Sequence, residues 1–233
     1  MDTLAAMLAW LAAAERWQGA DGIPVRLAEH LAIALPSVLA AALVALPAGA
    51  WIGHTGRHAT VAINVAGLGR AIPSYAVLAI VLPISLRLSP EWGLSVIPTF
   101  TAMTLLAIPP ILVGTYAGLR GVDPEVVEAA RGLGLTERQI LLGVELPLAL
   151  AGLAGGLRTA SVQVVATATL GAVVAYGGLG RYIIDGIARN EDDRLLGGVL
   201  LVAGLAILVE LAFALVQRAL VPRGLRAARV RAR

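Results

Sequence analysis

Residues 195–217 read LLGGVLLVAGLAILVELAFALVQ, with Glu210 as the one ionisable side chain in the run. At about 1.5 Å of rise per residue, a helix of this length crosses the ~30 Å hydrocarbon core of a bilayer. Its apolar residues are continuous rather than alternating, which excludes a barrel strand. In hydrocarbon every backbone N–H and C=O must be paired within the segment, so the run is a helix. Working outward from it, the stretches 148–175, 94–118, 59–86 and 31–53 pass the same test, making five spans in all. The whole chain agrees with this: of 233 residues 58% are hydrophobic and only 14% charged. A soluble domain carries about a quarter of its residues as charge, so this composition cannot build a wetted surface. The expected fold is all-α and polytopic, a single transmembrane domain over residues 1–233 without internal repeats.

Prolines sit deep in two of the runs, Pro73 and Pro83 in the second and Pro109-Pro110 in the third. Each removes a helix hydrogen bond and crowds the preceding turn, which predicts kinks or breaks there. The first 20 residues contain a shorter apolar stretch flanked by Trp10 and Trp17 and preceded by Asp2 instead of a basic segment. This pattern predicts an interfacial helix held at the bilayer surface by its tryptophans, and not a cleaved signal.

Every basic residue other than histidine is arginine, and the arginines are unevenly placed. Arg57, Arg120, Arg131, Arg138 and six arginines of the tail 218–233 fall on one side of the predicted spans. Arg181, Arg189 and Arg194 on the other side are mixed with Asp185, Glu191, Asp192 and Asp193. Basic excess marks the cytoplasm, which predicts a multi-pass protein of the cell membrane with its C-terminus inside and its N-terminus outside. The basic tail is then a membrane flank and no nucleic-acid partner is expected. The absence of cysteine leaves the redox compartment open.

The longest polar insertion on the inner side is 119–147, within GVDPEVVEAARGLGLTERQILLGVELPLAL at 121–150. Asp123 is placed to cap a helix that Pro124 begins, and Glu125 and Glu128 suit its positive end. Gly132 and Gly134 end that helix. Thr136, with Gln139 three residues on, opens a second helix as a capping box, and Pro147 marks the return to the membrane. Two short helices around a glycine turn form a rigid knob. Ala129, Ala130, Gly132 and Gly134 would let another backbone come close. Read from spacing alone, the unit is either a docking surface for a second protein or an amphipathic connector lying on lipid headgroups.

The pattern Glu128-Ala129-Ala130, three residues, Gly134, nine residues, Val144, one residue, Leu146-Pro147 resembles the EAA loop of permeases in binding-protein-dependent, ATP-driven importers. The likeness extends over nearly the whole chain and implies a five-helix core of the methionine-importer type with a cytoplasmic coupling helix. It also implies a set of partners: an ATP-binding subunit gripping Glu128, Ala129, Ala130, Gly132, Gly134, Leu146 and Pro147, an extracytoplasmic substrate-binding protein, and a second permease copy or paralogue in the bilayer. EAARGLGLTERQILLGVELPLAL at 128–150, GGLRTASVQVVATATLGA at 155–172 and GGLGRYI at 177–183 are similar to the subgroup that imports glycine betaine, carnitine or choline. Arg70-Ala71 and Tyr176 depart from that subgroup's usual Gln-Thr and glycine.

Two ionisable residues, Arg158 and Glu210, lie inside predicted spans, where a lone charge is costly. Arg158 is eleven residues past Pro147, roughly 16 Å from the inner face, and Glu210 is eight residues before Arg218, roughly 12 Å from it. Consecutive antiparallel spans would bring them together, with Arg70 at a similar level as a competitor for the carboxylate. Gly177, Gly178 and Gly180 close the fourth span on the outer side, as the hinge of an external gate, a contact for a binding protein, or a helix C-cap.

The remaining motifs exclude functions. No G-x-x-x-x-G-K-[ST] loop exists and the chain has no lysine, so ATP must be used by a partner. His54 and His58 are four apart but lie at a span edge, and no metal or cofactor is expected. Ser37 and Ser161 have no base within the spans, so the chain is not expected to be an enzyme. Quaternary ammonium groups are best held by aromatic cages, and aromatics make up only 4% of the chain. Selection of the solute therefore falls to an external binding protein, with Trp51, Tyr75 and Tyr116 as weak candidates for lining a passage. The alternatives are a permease for another small solute, such as an amino acid, and a non-transporting membrane anchor or scaffold.

Overall fold

The computed structural model describes residues 3–220; the tail from 221, and the side chains of Arg70 and residues 218–220, lie outside the described set. The elements run α1 Thr3–Ala12, α2 Ile23–Thr55, α3 Ala59–Ala71, α4 Ser74–Leu88, α5 Val96–Arg120, α6 Pro124–Gly132, α7 Glu137–Ile140, α8 Leu146–Thr167, α9 Gly180–Arg189 and α10 Asp192–Leu220. A π turn at Leu141–Glu145 joins α7 to α8, and a 3₁₀ stretch at Ala168–Val174 extends α8. Among the described residues, four helices are long and apolar enough to cross a membrane: Ile23–Thr55, Val96–Arg120, Glu137–Val174 and Asp192–Gln217.

The predicted second span is not one rod. Ala59–Gly69 and Ser74–Leu88 meet at 84° across a short break. The cause is local. A residue before proline is pushed out of the helical region, and Ile72 before Pro73 is extended, at φ −75° and ψ 119°. The other internal prolines break nothing: Pro83 sits within α4, and Pro109 and Pro110 within an uninterrupted α5. Both prolines of α5 are buried, and a helix held by neighbours keeps its course despite a missing hydrogen bond.

The core is the trio α2, α5 and α8. Ile33, Ala41, Ala45, Met103, Ala107, Ile111, Ala160 and Val164 are buried where these helices meet. The contacts are tightest at glycine. A Cβ on Gly114 would lie 2.6 Å from the Gly156 Cα, and one on Gly152 would lie 2.5 Å from the Gly118 Cα. The G-x-x-x-G rows of α5 and α8 thus interlock with backbone against backbone, a recurrent solution where lipid removes the hydrophobic drive between helices. Gly49 and Gly53 of α2 face Thr115 and Leu119 of α5 in the same way. By contrast α3 and α4 leave an apolar cavity of about 460 Å³ against α5, lined by Val61, Val65, Ala66, Val77, Leu106 and Pro109 among others.

The N-terminal helix packs back onto the bundle. Trp10 is buried, with Met7, in the packing of α1 against α10. Its ring meets Tyr182 edge-on at 5.2 Å. It also fills the space a side chain at Gly197 would need, 2.5 Å from the position of that Cβ. Gly197 thus leaves the slot in which the Trp10 indole packs. Trp17 stays half exposed and donates to the Leu11 carbonyl at 2.8 Å.

Candidate functional site

The segment between α5 and α8 folds as its local chemistry dictates. Asp123 Oδ1 accepts from the Glu125 backbone N–H at 2.9 Å, capping α6. Gly134 adopts φ +81°, its N–H donates to the Arg131 carbonyl and the Leu135 N–H to the Ala130 carbonyl. That pair of bonds is a Schellman closure, and the left-handed residue in it is best served by glycine. The Thr136 and Gln139 side chains cap α7 reciprocally, as a full capping box. Beneath the turn, Leu119, Val122, Val127, Ala130, Ile140 and Ala149 form their own small core, so the knob is a packed unit and not a floating loop.

Its outer surface is what a partner would meet. Leu133, at the tip, is 81% exposed, and Val126 and Leu142 are also open. Glu128, Ala129, Gly132 and Gly134 are exposed, whereas Ala130 is buried in the knob's own core. Among the described residues, apart from the adjoining backbone, nothing lies within 4 Å of where a Cβ on Gly132 or Gly134 would stand. Leu146 and Pro147 begin α8 directly behind the π turn.

A polar cluster ties this knob to the C-terminal end of α2. His54 meets Glu145 through Nδ1, and its Nε2 lies 3.2 Å from Glu137 Oε2. Arg131 donates to Glu137 twice, at 2.9 and 3.1 Å. The hydrogen bonds from Arg131, and then its charge, hold the Glu137 carboxyl below the usual carboxylate range. His58 does not join His54: it follows the left-handed Gly56 and caps α3, so the two never share a helix face.

Within the bundle, Arg158 Nε donates to Glu210 Oε2 at 2.7 Å and its Nη2 pairs with Oε1. Gln217 lies alongside, 3.5 Å from Arg158 Nη1, and donates to the Ala151 carbonyl at 2.9 Å. The pair bridges α8 and α10, with the two side chains 33% and 39% exposed. It therefore sits at the bundle's flank instead of its centre. Arg70 lies in α3, and its side chain is outside the described set.

At the end of the bundle away from the knob, Gly177, Gly178 and Gly180 are packed tightly. The 3₁₀ stretch is closed by Ala175 at φ 61°, so none of the three is its cap. Gly178 has φ +82°, and its N–H donates to Glu29 Oε2 at 2.7 Å. A side chain at Gly177 would strike the Glu29 carboxylate, and one at Gly180 the Thr169 carbonyl. The Tyr176 hydroxyl donates to the Glu29 carbonyl at 2.9 Å, and His30 Nε2 donates to the Val165 carbonyl at 2.8 Å. Glu29 thus ties the N-terminal end of α2 to the turn, and His30 ties it to α8. Neither was singled out from the sequence, because both lie ahead of or at the edge of the apolar run that defined the span. Trp51, Tyr75 and Tyr116 stand on α2, α4 and α5, and form no cage.

The chain is thus a polytopic helix bundle that presents a capped and packed knob on one face. Residues 37–225 match the binding-protein-dependent transport system inner membrane component family, and the chain belongs to that family. It is 34% identical over 201 residues to the carnitine transport permease OpuCB of Listeria monocytogenes, covering 86% of this chain and 89% of the relative. It is 32% identical over 197 residues to the choline transport system permease OpuBB of Bacillus subtilis, with coverage of 84% and 88%. Among solved structures, the inward-facing MetNI methionine ABC transporter superimposes with a TM-score of 0.74 at 23% identity, over 86% of this chain and 96% of that chain. At that identity the likeness concerns the fold alone. The family is one of multi-pass membrane permeases of ATP-driven importers.

Proposed function

We propose that this chain is the subunit through which an ATP-driven importer moves a small osmoprotectant, such as glycine betaine, carnitine or choline, into the cell. The observation that carries the reading is the match over more than four-fifths of its length to permeases named for carnitine and for choline. The exposed tip around Leu133, with Glu128 and Ala129 beside it, is the surface on which the ATP-binding subunit docks. Leu119–Pro147 lies on the cytoplasmic side, with the N-terminus outside and the C-terminus inside. Two copies, or one copy and a related permease, enclose the passage. Closure of the ATPase pair pulls on the knobs and turns access from outside to inside, a rigid-body switch. Choice of solute rests with the binding protein.

The test is uptake into proteoliposomes holding the chain with its ATPase and binding protein. Choline, carnitine and glycine betaine should each be compared with methionine. ATP-dependent accumulation of at least one quaternary ammonium solute is expected. Accumulation of methionine alone would make this an amino-acid permease, and no accumulation with the ATPase bound would make it a scaffold. Orientation is tested by cysteines at Arg138 and Asp192, since the chain has none of its own. In intact cells an impermeant maleimide should label the second and spare the first.

A further inference from the structure

The bend between α3 and α4 breaks the main chain at mid-depth of the bundle. A Cβ on Gly69 would touch the Pro109 ring, 3.4 Å from its Cγ. Pro109 stands thirteen residues on from Val96 and eleven short of Arg120, the two ends of α5. Along a helix that is roughly 20 and 16 Å, near the middle of a bilayer's hydrocarbon core. Main-chain groups lose their helical partners at this elbow. The Gly69 carbonyl would be met by the N–H of residue 73, but Pro73 has none. The carbonyls of Arg70 and Ala71 would be met by Ser74 and Tyr75, which lie beyond the 84° turn. The Ala76 and Val77 N–H groups both go to the Pro73 carbonyl, and among the described residues nothing takes up the other five groups, three carbonyls and two N–H. Nor is the break covered: Ala71, Ile72 and Pro73 are exposed, with Ile72 at 54% and Tyr75 at 57%.

Bare N–H and C=O groups are too costly to leave in hydrocarbon, and a broken helix is tolerated at that depth only where protein buries it or water reaches it. Lipid is therefore not what meets this face. A dry seam with another chain would have to match five main-chain groups and the Tyr75 phenol with donors and acceptors of its own. Water matches them all, and lets a polar solute pass. We propose that the elbow 69–75 lines the solute passage, which runs along the exposed face of α3 and α4 with the second permease closing its far side. The inference rests on the reading of this chain as a transporter and adds to it the surface that the solute meets. Tyr75 sets an aromatic ring beside the unpaired carbonyls, and both attract a quaternary ammonium group on its way through.

The experiment places single thiols in this cysteine-free chain, by Ile72→Cys, by Tyr75→Cys and, as a lipid-facing reference, by Leu208→Cys. Leu208 is 64% exposed on α10. It lies ten residues before Arg218, roughly 15 Å along the helix and so at similar depth. The assembled importer in proteoliposomes is treated on both sides with a trimethylammonium methanethiosulfonate, at rest and with the ATPase trapped by vanadate. Thiols react as thiolates, which form in water and not in hydrocarbon, so the two elbow thiols should react about tenfold or more faster than the Leu208→Cys thiol in at least one state. The attached group should then cut ATP-driven uptake from a mix of choline, carnitine, glycine betaine and methionine several-fold at the elbow, and leave it unchanged at Leu208. Elbow thiols that stay silent in both states overturn the inference while the transport reading stands. Oxidative cross-linking between permeases then tells a dry seam from lipid, and either answer counts against the passage. Labelling as fast at Leu208→Cys overturns it too, and so does labelling of the elbow without loss of uptake, because water would then arrive through a side crevice. No uptake by the unsubstituted assembly overturns the transport reading and this inference together. Should Ile72→Cys not assemble, Tyr75→Cys decides alone.

Discussion

Helix α8 is held on two faces by opposite means. Toward α5 it presents Gly152 and Gly156, and the two backbones touch with no side chain between them. Toward α10 it presents Arg158, and the tie is a guanidinium on a carboxylate with Gln217 beside it. In water both seams could have been sealed with leucine. In a bilayer lipid tails compete equally for apolar surface, so helices adhere through close approach or polar contact. The glycine seam is geometrically exclusive and tolerates no added atom. The charged seam is energetically exclusive and tolerates change of shape better than loss of a partner.

The sharpest break is expected at glycine. Gly152→Leu would drive four carbon atoms into the Gly118 backbone, and overpacking of this kind costs about 1–3 kcal/mol even where neighbours can move. Here the obstacle is main chain, so loss of the monodisperse protein on size-exclusion in detergent is the predicted result. Next come Glu210→Gln and Arg158→Gln, each leaving its partner's charge without a counter-ion. A fully buried pair would lose ~3–5 kcal/mol; with a third of each side chain open, about 2–3 kcal/mol is expected. Thermal unfolding of the single variants and the double variant checks this, with part of the loss recovered in the double. Gln217→Leu removes one long contact to Arg158 and one bond to the Ala151 carbonyl, for about 0.6 kcal/mol. The one change expected to cost nothing is on the same helix as the most damaging one. Gly155 lies one residue from Gly156 yet would meet nothing closer than Gln217 Nε2 at 3.9 Å. Gly155→Ala should be neutral or stabilise by up to about 1 kcal/mol through helix propensity. If Gly155→Ala and Gly152→Leu behave alike, glycine content and not the seam is what matters.

Much of this was readable from the chain, for physical reasons that differ by region. The spans declare themselves because a bilayer demands continuous apolarity, and the caps of α6 and α7 because Asp123, Gly134, Thr136 and Gln139 act on their own neighbours. Equal depth on antiparallel helices was enough to bring Arg158 and Glu210 to one place. What escaped was set by packing between distant segments. Gly114, Gly118, Gly152 and Gly156 carry a recognisable spacing, but spacing does not say which row meets which. The bend at Ile72 was signalled by Pro73, while Pro109-Pro110 gave the same signal and leave α5 uninterrupted, with both prolines buried among its neighbours. His54 looked like a loop-flanking residue. Its contacts, 91 residues away at Glu145, exist only once α2, α7 and the π turn share one corner.

Docking of an ATPase on the knob at Leu119–Pro147 can be tested directly. A single cysteine at Leu133, 81% exposed at the tip, can carry a photo-activatable benzophenone in this cysteine-free chain. Irradiation of membranes containing the assembled importer should yield one dominant adduct, between this chain and the ATP-binding subunit. The same probe at Asp192, on the opposite face, should yield none with that subunit. An ATPase adduct from Asp192, with none from Leu133, would contradict both the docking site and the orientation.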